Sequence, residues 1–395
     1  MNAAADRLGP VPGAAAHAAL PAQVALLGTG TVGRAVLERL VQWRGTQFGE
    51  RLSLVYAANS RLALQDPRGL CGDDVRQRIA GGAAAKSSVA GAAASVGTGN
   101  ASAALPCSSE LDAVAPALRR AATRIVIDAT ASESVASCHA GWLNEGIHVV
   151  TACKLGQGGA LSRSNAIRDA CVRRGSIYGD SATVGAGLPV IRSLRELQAG
   201  GDRIHAVAGV LSGSLAWLFN RFDGLRPFSG FVREARAAGF TEPDPRDDLS
   251  GEDVRRKIVI LARAAGVGLE PADVEVESLV PNTLATLPLA ALDVELAQLD
   301  APLRERFARA YRNGEKLRFI ARLDVAAGHA RVGLESLPNE HPLAGGAGTD
   351  NRVAVWSDRY SEQPLVIQGP GAGAQVTAAA LLDDALRIAA QAHRN

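Results

Sequence analysis

Residues 24–27 form a short apolar run that stops at Gly28, the pattern of a buried strand. Val36, Leu37, Leu40 and Val41 then recur at helical spacing, and residues 52–58 are apolar again. The chain therefore opens as strand, glycine-rich turn, helix, strand, a βαβ unit. Residues 124–129 and 148–151 read as further strands. After Thr151 the pattern predicts helices over 165–174, 231–238, 252–265 and 303–312. It predicts strands over 204–211, 317–324, 353–356 and 365–367. This is a mixed α/β pattern, suggesting a sheet with helices on one face. Residues 376–392 read as an amphipathic helix after a second glycine-rich turn. There is no internal repeat.

Length and composition refine this. At 395 residues the chain is long enough for two or three domains of roughly 100–200 residues. Its 42 basic and 40 acidic residues nearly cancel, which argues against a nucleic-acid partner. Aromatic residues make up only 4%, too few for base-stacking platforms. No apolar run reaches the ~20 residues of a membrane span. Residues 1–20 are rich in Ala, Gly and Pro and read as a disordered tail rather than a secretory leader. Residues 81–104 are almost entirely small and read as a surface insertion or a weakly ordered loop. The cysteines Cys71, Cys107, Cys138, Cys153 and Cys171 are odd in number and scattered, without CxxC pairs. That fits reduced thiols in a cytoplasmic protein and gives no zinc signature.

Gly28-Thr29-Gly30-Thr31-Val32-Gly33 is a GxGxxG turn between strand and helix. The first glycine permits the tight turn, the second lets backbone approach a pyrophosphate, and the third lets helix pack on strand. Free N–H groups at the helix start bind phosphate. The turn alone also suits a purely structural role, but its flanking elements favour a dinucleotide. At the end of the second strand stands Ala58-Asn59-Ser60-Arg61, with no carboxylate for a ribose 2′-hydroxyl. The missing acid leans towards NADP. Arg61 either pairs with a 2′-phosphate or is a solvated loop residue. In Asp128-Ala129-Thr130-Ala131-Ser132, small and hydroxyl residues at a strand's carboxyl end suit a cofactor, and Ser132 suits a helix N-cap.

Residues 241–253 carry a dense run of carboxylates. Pro243 and Pro245 predict an extended path. Ser250 is placed to cap the next helix, with Asp253 as the third helical residue of a capping box. Asp253 and Lys257, four apart, share one helix face. Two readings stand side by side. Carboxylates can hold an ammonium group while a lysine passes a proton to an oxygen that gains charge during hydride transfer. Equally, the segment is a solvated acidic loop with an ordinary helix ion pair.

The stretches ATVGAGLPVI, GVLSGSLAWLFN, GFTEPDPRDDLSGEDVRRK and GPGAGAQVTAAAL, with the GTGTVG turn, resemble homoserine dehydrogenase. The resemblance covers most of the chain. It implies NAD(P)-dependent interconversion of L-homoserine and L-aspartate 4-semialdehyde, in threonine and methionine biosynthesis. It implies that Lys257 is the proton donor and Lys154 a second active-site lysine near the nicotinamide. Glu242, Asp248 and Asp253 then bind substrate or orient the lysine, with Ser214 beside them. Cofactor positions are Gly28, Thr29, Gly30, Thr31, Val32, Gly33, Asn59, Arg61, Thr130, Lys154 and Gly371. Val184, Ala186 and Leu188 match backbone groups that hold Na+ or K+ in some members. Two departures stand out. Cys153 occupies the position of an asparagine, and Ser181 that of an acid three residues before Val184.

The expected organisation is a tail (1–20), a Rossmann-type domain (21–152, completed by 369–395) and a mixed α/β catalytic and dimerisation domain (153–368). The expected assembly is a homodimer or homotetramer. No aspartokinase region or regulatory amino-acid-binding domain is visible, so feedback inhibition through one is not expected. Two other classes stay open: a dehydrogenase of another small amino alcohol, and a non-catalytic NAD(P)-binding homologue, motivated by Cys153.

Overall fold

The structure is a computed structural model and describes residues 20–81, 105–107 and 110–392. The expected tail (all but Leu20) and the expected insertion (all but Gly81) lie outside the described residues.

Two sheets organise the chain. The first comprises β1 (Ala22–Leu27), β2 (Leu52–Ala58), β3 (Ala63–Gln65), β4 (Leu105–Cys107), β5 (Arg124–Asp128), β6 (His148–Thr151) and β7 (Tyr178–Gly179). Their spatial order is β4-β3-β2-β1-β5-β6-β7, with β1, β2, β5, β6 and β7 parallel. The order reverses at β1, where β2 and β5 diverge. An α/β sheet opens a crevice at such a switch point, at the carboxyl ends of the strands. The turn at Gly28 lies at that end of β1, as does Asp128 of β5. All six residues of β1 are buried, as befits a parallel strand covered on both faces.

The second sheet comprises β8 (Ile204–Val210), β9 (Glu275–Val276), β10 (Glu315–Asp324), β11 (His329–Pro338), β12 (Asp350–Ser357) and β13 (Leu365–Pro370). Its order is β13-β12-β8-β10-β11-β9, antiparallel except for β9 on β11. One face packs into the largest core. Val207, Phe319, Ala321, Val353 and Val355 meet Leu215 and Leu218 of helix Gly213–Arg221 there, and Ile258 and Leu261 of helix Glu252–Ala264. Each fully buried Leu or Ile contributes about 1.5–3 kcal/mol. Ile320 and Ala354 on the other face are covered by Leu343 and Ala344. Near Trp356, Arg322 and Arg331 that face opens into a cavity of about 250 Å³.

The chain ends back in the first core. Ala378, Leu381, Leu382, Ala385 and Ile388 of helix Ala374–Ala392 pack with Val24, Leu26 and Val36. The helix thus brings the Gly371 turn beside the crevice.

The helices predicted over 165–174, 231–238, 252–265 and 303–312 form as Leu161–Arg174, Phe228–Ala237, Glu252–Ala264 and Asp300–Arg312. Two local expectations fail. The segment after Thr241 is not extended throughout: Pro245–Leu249 is a short helix with Pro245 in its first turn. Proline is favoured there because the first helical N–H has no partner to lose. The Ser250 capping box does not form either. Gly251, at φ +78°, is the N-cap of the next helix, without a side-chain cap. A left-handed backbone at that turn requires glycine. Ser250 instead ends the short helix, and its hydroxyl accepts from the Glu252 N–H. Among the described residues no helix is long and apolar enough to cross a membrane.

Candidate active site

Helix Glu252–Ala264 presents Asp253 and Lys257 one turn apart. The Lys257 Nζ stands 2.7 Å from Asp253 Oδ2. Val254, Ile258 and Leu261 bury the opposite stripe and fix the helix's rotation. Asp253 Oδ1 lies 3.2 Å from the Nζ of Lys154, which follows β6. One carboxylate therefore bridges two ammonium groups, one from each half of the chain. The Lys257 ammonium also donates to the Leu211 carbonyl at 2.7 Å.

The chain holds only four lysines, Lys86, Lys154, Lys257 and Lys316, against an arginine-dominated total of 42 basic residues. Two of the four meet at Asp253. A lysine can give up its proton near neutral pH when buried; an arginine cannot. Burial lowers the Lys257 pKa, and the neighbouring Lys154 lowers it further, against Asp253 and Asp248. For Asp253, burial favours the neutral acid, but the two lysines overcome it and hold the group well below the usual carboxylate range.

Asp248 knits three segments together. Its Oδ1 accepts from Ser214 Oγ at 2.6 Å, and its Oδ2 from the Glu242 N–H at 2.8 Å. Burial pushes its pKa up, opposed by those two hydrogen bonds. Ser214 sits in the first turn of helix Gly213–Arg221, whose N-cap Ser212 accepts from Leu215 N. The Glu242 side chain is exposed, so the structure engages its backbone rather than its carboxylate. Asp244 caps the short helix and pairs with Arg246 at 2.6 Å. Arg246 donates to the carbonyls of Leu284, Ala285 and Leu287, clamping the acidic loop to its neighbour. Sequence reasoning missed this clamp. The Asp-Pro-Arg triplet carries the signal: an N-cap, then proline at the first helical position.

The glycine turn has the geometry a pyrophosphate needs. Gly28 has φ +89°, and a Cβ on Gly33 would overlap the Gly28 carbonyl. At Gly30 a Cβ would meet nothing within 4 Å, so that position faces open space. Gly30 caps helix Thr31–Gln42 without a side-chain acceptor, which leaves the first N–H groups, from Thr31, Val32 and Gly33, for a ligand. Asn59 Nδ2 reaches Thr29 Oγ1 at 3.4 Å, while its Oδ1 accepts from the Arg61 and Leu62 N–H groups. Arg61 is exposed. These residues fit a dinucleotide.

Thr130 donates both its N–H and hydroxyl to Asp128 Oδ1. The fully buried Asp128 also accepts from Thr151 Oγ1 and lies 3.0 Å from His139 Nε2, whose Nδ1 meets Tyr178 Oη. Thr151 Oγ1 in turn accepts from the Cys153 N–H. This network, absent from the sequence reading, sets the two loops that carry Thr130 and Lys154. Cys153 is buried, and burial pushes its thiol up to about 11, so it is neutral. Cys71, Cys138, Cys153 and Cys171 are all unpaired.

Val184, Ala186 and Leu188 line one tight turn in which Ala186 adopts φ +48°. The Leu188 carbonyl accepts from the Val190 N–H. Ser181 donates its N–H and hydroxyl to Asp384 of the last helix. Asp384 also meets Arg387, and Asp180 is held by Arg195. The nearby carboxylates are thus engaged by protein donors.

The family model described as homoserine dehydrogenase matches residues 189–386, and the one described as homoserine dehydrogenase, NAD binding domain, matches residues 28–177. A bifunctional aspartokinase/homoserine dehydrogenase of Zea mays is 45% identical over 269 residues, 67% of this chain. The chain spans only 29% of that relative's length. A homoserine dehydrogenase of Emericella nidulans is 38% identical over 67% of this chain and 75% of its own length. Among solved structures, a Candida auris protein described as of unknown function superposes with TM-score 0.81 at 31% identity, over 94% of this chain and 99% of that one. A hyperthermophilic archaeal homoserine dehydrogenase in complex with NADPH shares the fold, with TM-score 0.68 at 18% identity, over 94% of this chain and 98% of that one.

Proposed function

Because the chain belongs to the homoserine dehydrogenase family, we propose that it interconverts L-homoserine and L-aspartate 4-semialdehyde with NAD(P), serving threonine and methionine biosynthesis. The observation that carries this reading is the Lys154–Asp253–Lys257 bridge at the mouth of the nucleotide crevice. NADP(H), when bound, supplies or accepts the hydride at the substrate's terminal carbon. The chain's own groups handle the charge that results. In the reductive direction Lys257 Nζ donates a proton to the oxygen that gains charge; in the oxidative direction the neutral amine takes it back. Burial lowers its pKa from that of an ordinary lysine, which eases release of the proton. Asp253 orients both lysines, and Lys154 Nζ stabilises the same oxygen. Asp248, fixed by Ser214, and the exposed Glu242 carboxylate hold the substrate's ammonium group.

Gly28 to Gly33, Asn59, Thr130 and the Gly371 turn hold the cofactor. NADP is favoured over NAD because β2 ends without an acid and Arg61 is free to meet a 2′-phosphate. The residues do not fit a monovalent cation well: Asp180 is held by Arg195, Asp384 by Ser181 and Arg387, and the Leu188 carbonyl already accepts from the Val190 N–H. No step is routed through a cation. We assign the nucleotide domain to residues 21–152 with 369–395, and the catalytic domain to 153–368. Self-association as a homodimer or homotetramer and a reducing cytoplasmic location complete the reading.

The test is a steady-state assay of the purified chain with L-homoserine against NADP and NAD separately. Turnover with homoserine, higher for NADP, is expected. Tight cofactor binding without turnover of homoserine or the semialdehyde would reject the activity.

A further inference from the structure

The Leu211 carbonyl, just past β8, receives two donors from different parts of the chain. One is Lys257 Nζ at 2.7 Å. The other is Asn351 Nδ2 at 3.2 Å. A carbonyl oxygen has two lone pairs, and these two donors fill them. All three residues are buried: Leu211 completely, Asn351 with 1% exposure and Lys257 with 9%.

The placement follows from the sheet. Asn351 is the second residue of β12; its neighbour Arg352 pairs with Val210, and Asn351 itself pairs with Gly369 of β13. The amide is thus held between the end of β8 and the turn that follows β13. A Cβ on Gly371 would overlap the Asn351 amide, so the side chain has no room to swing on that side. Its Oδ1 is buried with no donor among the described residues. Leaving such an acceptor unfilled costs stability, so the site gains little as plain structural filling. What the amide does is hold one carbonyl in place.

We propose that Asn351 is a positioning residue that fixes Lys257 through the Leu211 carbonyl, with Gly371 kept small to admit its amide. The inference rests on the role given to Lys257 above. The charged groups facing Lys257 are Asp253 on its own helix, Lys154 after β6, and Asp248 in the short helix. Among the described residues no hydrogen bond joins any of them to Asn351, so a change at 351 reaches Lys257 through Leu211.

The experiment reads Lys257 without turnover. The rate of its acetylation by acetic anhydride is followed against pH by peptide mass spectrometry, with the exposed Lys316 as reference; four lysines make the assignment direct. Asn351→Leu keeps the volume and removes the donor. The carbonyl is then no longer pinned, and the Lys257 midpoint is expected to fall by about one pH unit. NADPH affinity should stay within about twofold. Asn351→Ala also removes the donor and should move the midpoint in the same direction. Midpoints within about 0.2 unit of wild type in the folded variants would overturn the proposal. If Asn351→Leu does not fold, the Asn351→Ala shift decides alone. Absence of homoserine turnover in the wild type would sink the functional reading and leave this result standing.

Discussion

The Asp253 carboxylate lies 2.7 Å from the Lys257 ammonium, and the same carboxylate holds Lys154 at 3.2 Å. Burial and Lys154 thus favour release of the Lys257 proton, while Asp253 favours its retention. Replacing Lys257 tests the donor directly. Lys257→Ala should lower kcat roughly 10²–10⁴-fold, the usual contribution of a positioned acid–base group. Cofactor affinity, read by fluorescence titration, should hardly change. Turnover near wild type would remove Lys257 from the chemistry.

Asp253 predicts the pH profile. Reduction needs protonated Lys257, so its rate falls as pH rises through the Lys257 pKa, which burial sets below that of an ordinary lysine. Asp253→Asn removes the opposing carboxylate and leaves Lys154 close by. The alkaline limb of kcat/KM for semialdehyde reduction should move to lower pH by about one unit or more. In the oxidative direction, which needs the neutral amine, the rising limb should move the same way. A limb that stays put would mean another group controls it.

How much of this was legible depended on range. The opening βαβ unit and the helix carrying Asp253 and Lys257 follow from local periodicity, because i and i+4 must share a face. The Lys154–Asp253 contact joins residues about a hundred positions apart, and no local pattern reports it. The same holds for Asn351 beside Leu211, and for His139 beside Asp128. Ser250 misled because its sequence fits a capping box, while Gly251 took the left-handed position instead. Pro245 misled in the opposite way: it was read as a helix breaker and serves as a helix starter.

Arg61 predicts cofactor choice. It is exposed near the end of β2, where no acid stands to repel a phosphate. Arg61→Glu removes a charge-assisted bond and adds repulsion. The NADP:NAD ratio of kcat/KM should fall roughly 10–100-fold, with NAD values little changed. An unchanged ratio would return Arg61 to the solvated loop.

Two glycines of one turn should fail differently. At Gly33 a Cβ overlaps the Gly28 carbonyl, so Gly33→Ala must shift helix against strand. It should lower the melting temperature and cofactor affinity together. At Gly30 a Cβ meets nothing within 4 Å, so Gly30→Ala should melt like wild type. It should still bind NADPH roughly tenfold or more weakly, because the methyl group occupies the path of the pyrophosphate. Equal affinity in Gly30→Ala would place the phosphates elsewhere.

Asp384 ties the last helix to Ser181, and burial raises its carboxyl to about 6, against the hydrogen bonds from Ser181. Unfolded, it titrates near 3.9. Between those values the folded chain binds a proton that the unfolded chain does not. This group's contribution to stability therefore grows as pH falls through about 6 and is complete near 4; above 6 the folded state carries the buried charge. Asp384→Asn has no such proton to take up. Melting curves of both proteins from pH 7.5 to 5 should show wild type gaining on the variant by a few °C as pH falls. A constant difference across that range would mean the carboxyl titrates normally, and that the Ser181 and Arg387 contacts hold it ionised.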